Sequence, residues 1–213
     1  MINRAGEQRT KGFTIVELLI VVVVIAILAA ITIVSYNGVQ ARANDAVIKS
    51  EFAQNAKLVM NAATISGESY TTASVMAGAS TNLKFDTNRY KVVTYCTDGS
   101  NFVLAAETKN GKKYYSKTGG VVTNDDTINS FLPCGSLGIV NSLTTYLNLP
   151  AACAGENATC TFSGVTATVV FGSTVGGRFT AVPNLTNSVG CNNGTVFADP
   201  APGLIKYCYV YPN

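Results

Sequence analysis

The side chains able to do chemistry in this chain are few, and their types exclude more than they offer. No histidine occurs among the 213 residues, which removes Ser-His-Asp and Cys-His nucleophile systems and every zinc site built on imidazole. No GxSxG or SxxK constellation supplies a nucleophile by another route. Asn124, Asp125, Asp126 and Asn129 gather oxygens in one stretch, but without the ligand spacing of an EF-hand loop they read as a polar turn. The cysteines, Cys96, Cys134, Cys153, Cys160, Cys191 and Cys208, are separated by 38, 19, 7, 31 and 17 residues. With no CxxC pair among them, disulfides in an oxidising compartment are expected rather than a four-cysteine zinc site. No cofactor, metal or enzymatic activity is expected. The group left over is a carboxylate, Glu17, set inside an apolar run where such a group usually has a partner or a task.

The run that carries Glu17 covers residues 13–34, FTIVELLIVVVVIAILAAITIV. As a helix its 22 residues span roughly 33 Å, enough for a bilayer core about 30 Å thick. Residues 1–12 hold Arg4, Arg9 and Lys11 against Glu7, so the N-terminus is expected on the cytoplasmic side. A secretory signal fits poorly. Its apolar region is about 7–15 residues long, and the small pair Ala29-Ala30 is followed by more apolar sequence.

Lys11-Gly12-Phe13-Thr14-Ile15-Val16-Glu17-Leu18-Leu19-Ile20 resembles the processing site of type IV pilin precursors, with the short leader of the type IVa group and of the related type II secretion pseudopilins. The resemblance implies cleavage between Gly12 and Phe13 by a prepilin peptidase, N-methylation of Phe13, and a carboxylate at Glu17 that pairs with the Phe13 amine of an adjacent subunit during assembly. It implies a homo-oligomeric helical filament, an assembly platform in the inner or cytoplasmic membrane, and a lipid bilayer around the precursor. One departure is visible: no proline interrupts residues 13–65, whereas many pilins carry one in this helix, so a continuous helix is expected.

Beyond residue 34 the sequence turns amphipathic. Ile48, Phe52, Ala56, Val59 and Ala63 recur at helical steps, with Lys49, Glu51, Asn55 and Lys57 on other faces. Gly38 weakens the helix by about 1 kcal/mol relative to alanine, and Ser66-Gly67 is a stop signal. The expected organisation is a cleaved leader (1–12), an apolar membrane and filament-core segment (13–34), the amphipathic half of the same helix (35–65), a connector (66–88) with a short helix near 73–77, and a β-rich head (89–213). The fold class is α+β and pilin-like: a long N-terminal helix packed on an antiparallel sheet with disulfides.

Strands are expected at 89–96, 102–108, 112–116 and 121–123, joined by the turn signals Asp98-Gly99-Ser100, Asn110-Gly111 and Gly119-Gly120. Farther on, 137–147 reads as a short helix, and 159–171 and 195–211 as strand material. Six cysteines allow 15 connectivities; the nearest-neighbour set, Cys96 with Cys134, Cys153 with Cys160 and Cys191 with Cys208, is the one expected. The last would brace the C-terminal loop, as a cysteine-closed C-terminal region does in many pilins.

Lys84, Arg89, Lys91, Lys109, Lys112, Lys113 and Lys117 are interleaved with Tyr90, Tyr95, Tyr114 and Tyr115. Such a mixture can grip single-stranded nucleic acid. With a net charge of only +3 for the chain, a solvated strand face with edge lysines is the preferred reading, and DNA is a weakly supported partner. Asn157, Asn184 and Asn193 begin N-x-Thr patterns, which arise readily by chance. The leading function is a structural pilus subunit. The same motif admits a secretion pseudopilin or a competence pilin with a DNA-binding head, and adhesion, twitching motility and DNA uptake are all compatible with it.

Overall fold

The computed structural model describes residues 12–213 except 66, 68, 71–82, 141, 176 and 195. Most of the expected leader and the proposed helix near 73–77 lie outside the described residues. Helix α1 runs Ile15–Ile65 without interruption, passing through Ala26, Ser35 and Gly38 as the absence of proline predicts. The chain divides into two compact units, residues 1–47 and 48–213.

In the first unit, the described residues from 15 on are all helical, and from Ile15 to Ile33 the large apolar side chains are exposed, none less than 47%. In the second unit the last turns of α1 supply a core stripe. Ile48, Phe52, Ala56 and Val59 are buried against Tyr90, Val93, Tyr95, Phe102, Leu104, Ala106 and Tyr114. Phe52 meets Phe85 and Tyr90 edge-on, with ring centroids 5.4 and 6.1 Å away, the geometry that aromatic quadrupoles favour. Asn55 is buried, and its amide donates to the Lys84 carbonyl and accepts from the Lys84 N–H at 2.8 and 2.9 Å. This pair satisfies a buried amide and ties the chain after residue 82 back to the helix.

Strands β1 (Tyr90–Thr97), β2 (Phe102–Thr108), β3 (Lys113–Lys117) and β4 (Val122–Asn124) form the expected meander, each within one residue of its sequence reading. The β1–β2 turn is set by Asp98, whose Oδ1 accepts from the Ser100 and Asn101 N–H groups, and by Gly99 at φ 95°, a left-handed backbone that glycine adopts at little cost. Strand β5 (Leu143–Tyr146) completes this sheet beside β1, in the order β4-β3-β2-β1-β5.

Two expectations are corrected here, and one strand goes beyond them. Residues 137–147 are not a helix: the helix is the single turn α2 (Pro133–Ser136), and the β-branched and aromatic Thr144-Thr145-Tyr146 pair with β1. Proline at the first helical position explains the placement of α2. A second sheet, ordered β6-β9-β7-β8, is formed by β6 (Ala152–Gly155), β7 (Thr159–Ser173), β8 (Arg178–Gly190) and β9 (Tyr207–Pro212). Among the described residues of 195–211, only those from Tyr207 on are strand. Strand β8 escaped the sequence reading because Pro183, Asn184 and Asn187 look like breakers. It lies at the sheet edge, where a proline removes no ladder bond of consequence, and both asparagines adopt positive φ.

The two sheets of this unit share a core of Val92, Phe131, Tyr146, Val170, Phe179, Tyr209 and Tyr211. Disulfides join Cys96 to Cys134, Cys153 to Cys160 and Cys191 to Cys208, with Cα separations of 6.0, 5.4 and 5.8 Å. The first ties β1 to α2, the second ties β6 to β7, and the third ties the end of β8 to β9.

Candidate functional site

The N-terminal motif is built at the start of α1. Gly12 and Phe13 precede the helix in non-helical backbone, and Phe13 is 91% exposed. The peptide bond between them is therefore open to a peptidase, which needs accessible, unpaired backbone. Thr14 and Glu17 form a reciprocal cap. The Thr14 Oγ1 accepts from the Glu17 N–H at 3.2 Å, and Glu17 Oε2 accepts from the Thr14 N–H at 2.9 Å and from its hydroxyl at 2.7 Å. This is a capping box, which satisfies amide groups that the first helical turn leaves without carbonyl partners.

The capping role of Thr14 is a functional feature that sequence reasoning missed, although the Thr-x-x-Glu spacing was there to find it. Glu17 lies in the first turn of the apolar helix. Its side chain is exposed, with Thr14 as its partner within the chain.

The basic and aromatic residues of 84–117 are largely committed to the head itself. Arg89 Nη1 contacts Glu51 Oε2 at 2.9 Å, Lys91 pairs with Glu107 at 3.6 Å, and Lys113 donates to the Ile128 carbonyl at 2.9 Å. Tyr90, Tyr95 and Tyr114 are buried. The Tyr90 hydroxyl donates to Glu51 and that of Tyr95 to the Tyr70 carbonyl. Burial pushes both phenols well above their ordinary pKa, helped at Tyr90 by the neighbouring Glu51 carboxylate. These rings are not presented for base stacking.

Asp125 accepts from the Thr127 N–H and hydroxyl, which hold its carboxyl below the usual range and close the expected polar turn. Of the three N-x-Thr asparagines, Asn157 and Asn184 adopt positive φ. Asn193 donates to Glu156 and Asp199 at 3.3 and 3.2 Å; its Thr195 lies outside the described residues.

Beside the Cys191–Cys208 disulfide sits a buried lysine that the sequence did not single out. Lys206 is 2% exposed. Its Nζ lies 3.1 Å from Glu156 Oε1 and 3.5 Å from Asp199 Oδ1, and it donates to the Leu204 and Ala201 carbonyls at 2.8 and 3.3 Å. One ammonium thus ties Glu156 to the stretch from Asp199 to Leu204, and the flanking Ile205 and Tyr207 give no periodic signal for it.

Residues 8–33 match the prokaryotic N-terminal methylation motif. No curated protein and no solved structure matches the chain. With the motif, a long N-terminal helix and antiparallel sheets braced by three disulfides, the protein is type IV pilin-like. The matched motif is of the kind carried by type IV pilin and pseudopilin precursors, and it lies at the N-terminal end of the chain.

Proposed function

We propose that this protein is the subunit of a type IV pilus filament. The precursor rests in the cytoplasmic membrane as a single-pass chain with its N-terminus inside, in keeping with the basic residues before the apolar run. A prepilin peptidase cuts between Gly12 and Phe13, and the new amine of Phe13 is methylated. An assembly platform then draws the apolar helices out of the lipid and into a bundle of identical copies. In that bundle the Glu17 carboxylate meets the Phe13 amine of a neighbour, which fixes register because an unpaired charge is costly in an apolar core.

The observation that carries this reading is the methylation motif joined to a helical segment, Ile15 to Ile33, whose large apolar side chains are exposed. A surface of that size needs lipid or other copies around it. The three disulfides suit a head held in an oxidising compartment, at the cell surface or in the periplasm.

The deciding experiment is N-terminal sequencing and intact mass on filaments sheared from cells. A chain that starts at methylated Phe13 and lacks six hydrogens is expected. Recovery only from membranes, with residues 1–12 still attached, would overturn the proposal.

A further inference from the structure

A cleft of about 410 Å³ opens in the second unit, where the start of β1 and the turn after β2 face the connector before β6 and the end of β9. Its size falls within the roughly 300–1,000 Å³ of small-molecule sites. Much of the wall is apolar, from Leu149, Pro150 and Val210 and the ring of Tyr211. The Tyr211 hydroxyl is engaged with the Asn148 carbonyl at 3.3 Å, so that side of the cleft offers carbon rather than a hydrogen-bonding group.

Two ammonium groups, Lys91 and Lys109, are the only charged side chains among the described lining residues. Lys91 is neutralised by Glu107 at 3.6 Å. Lys109 is exposed in the turn and has no acidic partner at ion-pair distance among the described residues. An open apolar wall beside an uncompensated cation selects a ligand with two parts. An apolar body displaces water from the wall, and an anionic end meets the ammonium at the edge of a lower-dielectric region, where a charge-assisted hydrogen bond is stronger than in bulk water.

We propose that this cleft binds small carboxylic acids with a compact apolar body, the carboxylate on Lys109 and the body against Leu149, Pro150 and Val210. A phosphate alone leaves the apolar wall wet, and a neutral hydrocarbon leaves Lys109 unused. The inference rests on the cleft and does not depend on filament assembly.

The test is a fluorine NMR titration of 4-fluorobenzoate against the full-length protein in detergent micelles, with empty micelles as the blank. Saturable broadening beyond the blank is expected, with at least ~tenfold weaker binding for 4-fluorobenzamide and for the exposed-turn variant Lys109→Glu. Equal binding of acid and amide, an unchanged affinity in Lys109→Glu, or no saturable signal above the blank would overturn the proposal.

Discussion

Glu17 answers to two demands with one carboxylate. In the single chain it closes the capping box with Thr14; in the proposed filament it must meet a foreign amine. The two roles separate by substitution. Glu17→Gln keeps an amide oxygen for the cap, since glutamine serves at this position of a capping box, but removes the charge. Thr14→Ala removes the hydroxyl cap, at a cost of about 0.5–2 kcal/mol to the helix end, and keeps the charge. Glu17→Gln is expected to be processed yet absent from sheared filaments, and Thr14→Ala to assemble. Abundant filaments from Glu17→Gln, seen by electron microscopy and immunoblot, would reduce Glu17 to a cap. Lys206 supplies the second test at this scale. Lys206→Met removes the ammonium from the Glu156 and Asp199 carboxylates and the donor from the Leu204 carbonyl, although Asn193 still donates to both carboxylates. Because water still reaches both carboxylates, the expected loss is about 1–3 kcal/mol in a urea melt. A melt identical to the parent would mean that the cluster contributes nothing to stability.

At the scale of elements, the reliable sequence signals were long and physically forced. A 22-residue apolar run can be little but a helix in this context, and Ile48, Phe52, Ala56 and Val59 declare a buried face by spacing alone. The meander was legible because Asp98-Gly99 and Asn110-Gly111 are turns with a backbone reason. The second sheet was not. Its strand β8 contains Pro183 and two left-handed asparagines, so local propensity argues against it, and pairing with β7 prevails. Of the N-terminal motif, residue types and spacing made everything visible except the Thr14 cap. The Lys206 cluster depends on Glu156 meeting the 199–206 stretch from a distant part of the sequence, which no local pattern encodes. The Cys191–Cys208 disulfide closes a loop that carries Asp199 and Lys206 and spans 17 residues of sequence. A loop of this length is expected to contribute about 3 kcal/mol through the entropy of the unfolded chain. The double variant Cys191→Ser, Cys208→Ser should lower the urea midpoint accordingly without changing β-sheet content by circular dichroism. A midpoint shift near zero would show that Lys206 closes the loop unaided.

On the scale of the whole molecule, the sequence assigns opposite physics to its two units. One exposes a continuous apolar surface from Ile15 onward; the other buries its aromatics to a degree unusual for tyrosine. That burial makes the second unit sensitive to alkali. Desolvation raises the phenols of Tyr90, Tyr95, Tyr146 and Tyr211 above the ordinary value of 10.0, so the folded protein keeps them neutral where the unfolded chain ionises them. A raised folded pKa contributes stability that is complete below the unfolded pKa and is lost as pH rises beyond it. Stability of the full-length protein in detergent micelles should therefore hold flat from neutral pH to about 9 and fall steeply above about 10, where free tyrosines begin to ionise. The fall should track the share of tyrosinate absorbance that comes from the buried rings, which appears only as the protein unfolds. Ionisation of all ten phenols near pH 10 with the fold intact would show instead that solvent reaches these rings, and the close packing of Tyr146 and Tyr211 between the sheets would have to be rejected.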